Sequence, residues 1–129
     1  MEIKTHRQIK KELCGEPVTI EEGRATVSLK TTDEMAADEE GLVHGGFVFG
    51  MADYAAMLAV NEPFVVLAAA NCKFTAPCKA GDTLTAKAEI TSENGKRRIV
   101  TVDVTSSDGK SVFTGEFSCA VLAKHVLSN

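Results

Sequence analysis

Apolar positions along the chain change their period from segment to segment, and each change marks a different kind of element. In residues 2 to 13, Ile3, Ile9 and Leu13 form a loose stripe among Lys, Arg and Glu, which predicts a short helix ended by Gly15 and Pro17. Alternation then takes over. Val18 to Glu21 and Arg24 to Lys30 flank Glu22-Gly23, with Ala25, Val27 and Leu29 on one face, as in a hairpin. Residues 31 to 43 are acidic and aperiodic, a loop leading to Gly41. From Gly45 to about Val60 the chain is apolar almost all round, with Asp53 its single charge. A helix of that kind must be buried on nearly all sides. It would be about 24 Å long, too short for a bilayer and suited to being wrapped by a sheet. Pro63 marks its end.

The remainder reads as strands: Phe64 to Thr75, Thr83 to Ser92, Arg98 to Ser106 and Ser111 to Ala123, punctuated by Pro77, Gly81-Asp82, Asn94-Gly95 and Asp108-Gly109. Asn-Gly and Asp-Gly between alternating runs signal tight hairpins, because both central positions of a type I′ turn need positive φ. Leu84, Ala86, Ala88 and Ile90 share one face, and Val100, Val102 and Val104 another. The order is therefore helix, two strands, one buried helix, four strands, all within a single domain over residues 1 to 129. A curled antiparallel sheet around one long buried helix is the description of the hot-dog fold, of α+β class. An unrelated α+β sandwich with the helix on one sheet face fits the same order.

Composition narrows the function classes. A net charge of −4 and a pI near 5.4 argue against a broad nucleic-acid surface, which needs many Lys and Arg contacts to phosphate. No apolar run follows the basic residues at the N-terminus and no stretch reaches the length of a membrane span, so the sequence reads as cytoplasmic, with no membrane partner. Cys14, Cys72, Cys78 and Cys119 form no C-x-x-C pair, and His6, His44 and His125 stand at no zinc-ligand spacing from them. Free thiols are expected, and no cofactor is called for.

The chemistry concentrates between Gly41 and Asp53. Gly45 and Gly46 fall at the start of the buried helix, where free N–H groups and the positive end of the helix dipole favour developing negative charge. Asp53 lies deep in an apolar run, where a carboxylate must be paired, protonated or placed at a crevice for a purpose. On pattern alone a structural role, capping a neighbouring backbone group, competes evenly with a functional one. Eight residues separate Gly45 from Asp53. Along one helix that is about 12 Å, too far for both to touch one carbonyl. If both act, they come from different copies, and a two-fold dimer with the buried helices antiparallel brings them together twice. The apolar run from Val65 to Ala70 would be aggregation-prone if left open, which makes the sheet edge near Phe64 to Phe74 the expected pairing edge.

His44-Gly45-Gly46 with Asp53 nine positions after the His, then Phe74-Thr75-Ala76-Pro77 and Gly81-Asp82, resembles the phenylacetate-pathway (PaaI-type) branch of hot-dog acyl-CoA thioesterases over about residues 16 to 123. The resemblance implies a thioester hydrolase in which Asp53 is general base or nucleophile. It also implies that the Gly45 N–H polarises the thioester oxygen across a homodimer or homotetramer, and that His44 orients the turn or the substrate, beside Gly46. Where the family carries Asn or Gln six residues before the His, this chain has Asp38. Where relatives place a Ser or Thr opposite the helix, it has Leu67-Ala68-Ala69-Ala70, with Asn71 the nearest polar substitute.

Read by itself, Asp38-Glu39-Glu40 is a solvated acidic loop. The phosphates of coenzyme A need cations, and Lys96-Arg97-Arg98, after the Asn94-Gly95 turn, is favoured slightly over a plain solvated hairpin tip, ahead of Lys73, Lys79 and Lys124. A hydratase would show a His set against a helix carboxylate in a His-x-x-Pro context, which this chain lacks. A non-catalytic acyl-CoA-binding protein stays open as the alternative to the hydrolase.

Overall fold

The computed structural model describes residues 1–128. In chain order the elements are α1 (Lys11–Cys14), β1 (Glu16–Glu21), β2 (Arg24–Lys30), a 3-10 turn at Asp33–Met35, α2 (Gly45–Val60), β3 (Val65–Lys73), β4 (Thr83–Asn94), β5 (Arg97–Ser106) and β6 (Ser111–Val121). The strands form one antiparallel sheet in the order β1-β2-β4-β5-β6-β3. It curls around α2, from which ten residues between Val48 and Val60 are buried. This is the hot-dog arrangement expected from the pattern. Among the described residues no helix is long and apolar enough to cross a membrane.

Alternation places the core. Leu84, Ala86 and Ala88 of β4, Val100, Val102 and Val104 of β5, and Phe113, Phe117 and Cys119 of β6 point inward and are buried against Met51, Met57 and Leu58 of α2. Each large side chain buried this way contributes about 1.5–3 kcal/mol. A few of them together outweigh the cost of the one carboxylate that α2 carries inside.

Three local readings are corrected. The helix expected over residues 2 to 13 is reduced to the single turn Lys11–Cys14, because three apolar side chains give a longer helix there too little to bury. His6 instead adopts a left-handed φ of 53°, and the segment before it is strapped across the C-terminal end of α2. Asn61, itself left-handed at φ 50° and buried, holds the strap. Its Oδ1 accepts the Lys4 N–H at 2.8 Å and its Nδ2 donates to the Glu2 carbonyl at 2.8 Å. Second, the β4–β5 turn is Gly95-Lys96 with Asn94 paired to Arg97, and only Gly95 has positive φ (61°), which fits a type II′ turn and not type I′. Third, β3 carries a bulge between Leu67 and Ala69, which shifts its register against β6. Counted from Leu67, plain alternation would aim Asn71 inward. With the bulge, Ala70 pairs with inward Phe117 and Asn71 with exposed Glu116, so Asn71 faces outward.

Asn61→Ala should cost about 2–4 kcal/mol, from two lost hydrogen bonds plus an alanine forced into left-handed backbone. Asn61→Gly should fall between it and the parent, since glycine removes the strain alone. Urea denaturation of the three proteins checks the order.

Candidate active site

The turn into α2 is held from two sides. The Val43 N–H donates to the Cys78 carbonyl at 2.9 Å and the His44 N–H to the Met35 carbonyl at 2.8 Å, while the Ala80 N–H donates to the Gly41 carbonyl at 2.8 Å. Thr31, buried at the end of β2, locks the segment that supplies these partners. Its hydroxyl donates to the Asp82 carbonyl at 2.7 Å and accepts the Gly81 N–H at 3.0 Å. Thr31 escaped the sequence reading because it stands where alternation breaks off.

His44 is the N-cap of α2 but makes no side-chain capping bond. Its ring packs edge-on to Phe47, with centroids 6.1 Å apart, and lies over Gly46, where an added Cβ would meet ring atoms at 2.9 Å. At Gly45 a Cβ would stand 3.2 Å from the Phe74 ring. Both positions are small because aromatic rings occupy the space, and the first N–H groups of α2 have no acceptor within the helix. Phe74, more than half exposed, is steadied by an edge-on contact with buried Phe113 at 5.2 Å.

Asp53 sits two turns further along. Its Oδ1 is fully shielded from solvent and has no hydrogen-bond partner among the described residues. Desolvation raises its pKa from 3.8 to about 6. Among the described residues no cation offsets this. The groups that feel its charge are the thiols of Cys14 and Cys119, which burial first and the carboxylate second push upward, Cys119 to about 12. Oδ1 therefore caps no neighbouring backbone group, which removes the structural role that the sequence left open for that atom. A carboxylate with one buried, unpartnered oxygen and a pKa of about 6 is suited to taking a proton from water.

The other expected residues scatter. Asp38 is exposed and turned onto its own loop, where its Oδ1 accepts the N–H groups of Glu40 at 3.0 Å and Leu42 at 3.2 Å. Asn71 borders a hollow on the outer sheet face with Thr101, Asp103 and Glu116, turned away from Asp53. Lys96, Arg97 and Arg98 form the β4–β5 tip, near the Val60 end of α2. Arg97 donates to the Ser118 hydroxyl at 2.7 Å, and Arg98 donates to the Gly95 carbonyl at 2.8 Å and lies 3.6 Å from Glu93. Within one chain the structure thus brings together His44, Gly45 and Gly46, and leaves Asp53 apart from them. The four cysteines are free, as expected.

The profile of the family described as "Thioesterase superfamily" matches residues 40–113. Among curated proteins, the methylthioribose-1-phosphate isomerase of Aquifex aeolicus is 53% identical over 117 residues, covering 91% of this chain and 25% of that protein. Transcription factor FapR of Caldanaerobacter subterraneus is 30% identical over 117 residues, covering 90% of this chain and 58% of its own length. The chain thus spans between a quarter and somewhat over half of these two relatives. The acyl-coenzyme A thioesterase PaaI of Escherichia coli is 30% identical over 97 residues, 74% of this chain and 69% of the enzyme. Among solved structures, an uncharacterized protein of Pyrococcus horikoshii superposes with a TM-score of 0.97 at 55% identity, over 99% of this chain and 98% of that one.

A carboxylate with a raised pKa leaves a signature in stability. Between about pH 4 and pH 6 the folded chain holds the Asp53 proton more tightly than the unfolded chain does, so stability falls as pH rises through that window. The total loss should be on the order of 3 kcal/mol, flat on either side. Asp53→Asn should abolish this component and be the more stable protein at pH 7. Chemical denaturation of both proteins from pH 3.5 to 8 checks it, and parallel curves would reject it.

Proposed function

This chain belongs to the thioesterase superfamily, and from that premise we propose that it hydrolyses an acyl-CoA thioester to the free acid and coenzyme A. The observation that carries the reading is the buried, unpartnered Oδ1 of Asp53. As general base, the Asp53 carboxylate takes a proton from water while the hydroxide adds to the thioester carbon. The oxyanion that forms accepts the Gly45 N–H at the head of α2. Collapse breaks the C–S bond, and the proton on Asp53 passes to the departing thiolate. Direct attack by Asp53, with later hydrolysis of the anhydride, uses the same groups.

Because Gly45 and Asp53 of one chain are about 12 Å apart along α2, the site is proposed to be shared by two copies. Support comes from β3, an edge strand paired only with β6 among the described residues, whose residues Ala68 to Asn71 are exposed. Pairing β3 with its two-fold copy closes that edge and sets the Gly45 of one chain toward the Asp53 of the other. His44 and Gly46 shape the turn, Asp38 shapes the loop before it, and Lys96, Arg97 and Arg98 are assigned to the phosphates. Residues 1 to 129 act as one unit.

The match to relatives named as transcription factors favours a second, non-enzymatic reading, and a chain that kept the proposed ligand would then bind acyl-CoA without hydrolysing it. Free-thiol release from a panel of acyl-CoAs separates the two, because binding without release supports only the second.

Gly45 is the first residue of α2, where the backbone tolerates proline, so Gly45→Pro deletes the N–H at the cost of pushing aside the half-exposed Phe74 ring, a displacement that Gly45→Ala reproduces with the N–H kept and so controls for. Alone, Gly45→Pro and Asp53→Asn should each lower kcat by about 10²-fold or more. Mixed by co-expression they should regain about a quarter of parental activity, since half the dimers are hybrids with one intact site each. Activity that stays at the sum of the two variants would reject the shared site. In the parent, kcat/KM should rise with pH through about 6 as Asp53 loses its proton.

Charge reversal of Lys96, Arg97 and Arg98 together should raise KM for acyl-CoA about tenfold and leave kcat nearly unchanged, because contacts remote from the carbonyl bind ground and transition states alike. Steady-state kinetics at two salt concentrations reads both effects.

A further inference from the structure

A hollow of about 340 Å³ opens beside Gly45, between the start of α2, the start of β6 and the segment that leaves β3. Its floor is buried and apolar: Val43, Val48 and Val112 are each no more than 5% exposed. Its roof is the Phe74 ring, which is braced on Phe113 at 5.2 Å and abuts Gly45. No Asp, Glu, Lys, Arg or His lines it. The polar groups are the Thr75 hydroxyl, paired with Ser111 at 3.2 Å, and the Cys78 thiol, a weak donor that burial pushes upward in pKa.

We infer that this hollow receives the acyl group, that it selects uncharged acyl groups of short to medium length, and that Phe74 sets the length limit. The inference rests on the thioester reading above. A thioester whose oxygen accepts the Gly45 N–H has its acyl carbons within a bond or two of that N–H, and the hollow is the apolar space that begins there. At interior packing density its volume holds on the order of eight water-sized groups, enough for six to eight carbons or one aromatic ring with its linker. A second carboxylate on the acyl chain would be buried among valines with no cation in the lining, and the charges that reach Cys78 from outside it, Asp82 and Lys110, are of opposite sign, which disfavours dicarboxylic acyl groups. A saturated chain much beyond eight carbons would have to displace Phe74 from Phe113.

The test is calorimetric binding of non-hydrolysable thioether analogues of butyryl-, hexanoyl-, dodecanoyl- and succinyl-CoA to the parent, Phe74→Ala and Ala76→Leu. Phe74→Ala removes the roof, while Ala76→Leu fills the hollow from its half-exposed wall without disturbing the buried floor. In the parent, hexanoyl should bind at least about tenfold more tightly than dodecanoyl, and butyryl at least about tenfold more tightly than succinyl. Phe74→Ala should move the optimum toward dodecanoyl and Ala76→Leu toward butyryl. Succinyl binding equal to butyryl, a preference unmoved by both folded variants, or no binding of any analogue would overturn the inference. Because the analogues are never cleaved, the result does not depend on turnover. Length selection without hydrolysis of the true thioesters would sink the enzyme reading and leave the acyl site standing. Hydrolysis with no length selection would do the opposite.

Discussion

Everything in the molecule depends on enclosing one apolar helix with a single sheet. An α-helix satisfies its own backbone, so α2 can be surrounded without orphaned N–H or C=O groups along its middle, and only its ends need help. The C-terminal end obtains it from left-handed Asn61 and the strap of residues 2 to 6. The N-terminal end is placed by loops instead of being capped by a side chain, and its free donors remain available to a ligand. The unsatisfied end and the proposed oxyanion site are one feature.

Asp53 is the exception inside the enclosure. Burying its Oδ1 without a partner costs stability across neutral pH, and the same desolvation lifts its pKa to about 6, where a carboxylate works as a base near neutrality. The groups that feel its charge, Cys14 and Cys119, are thiols, which neither carry a compensating charge nor donate strongly. A lysine or arginine at either place would steady the fold and weaken the base.

Much of this was legible in the residues. The bounds of α2, the strand order along the chain and the lone charge at Asp53 follow from periodicity, since an all-apolar stretch bounded by glycines and a proline has few ways to fold. What escaped the sequence was tertiary. The bulge in β3 inserts one residue and inverts which face Asn71 takes, and nothing in Leu67-Ala68-Ala69-Ala70 marks where it falls. The strap reads as a weak helix because its conformation is fixed by Asn61, more than fifty residues away. Asp38, at the position where the resembling family carries an amide, turns its carboxylate onto its own loop, a choice that local backbone donors decide.

Gly50 carries the argument one step further. Gly46 is held small by the His44 ring and Gly45 by Phe74, but a side chain at Gly50 would meet nothing within 4 Å in its own chain. Glycine in a helix interior costs about 1 kcal/mol relative to alanine, so its presence there is not explained by packing within the protomer. Gly46, Gly50 and Asp53 recur at four and three residues and form one flank of α2, the flank the sheet leaves at least partly open. If Gly50 is kept small by a contact, that contact lies outside the described residues of the chain. On the proposed shared site, a second copy lying antiparallel along this flank would supply one, its backbone and the substrate taking the volume that a methyl group at Gly50 would need.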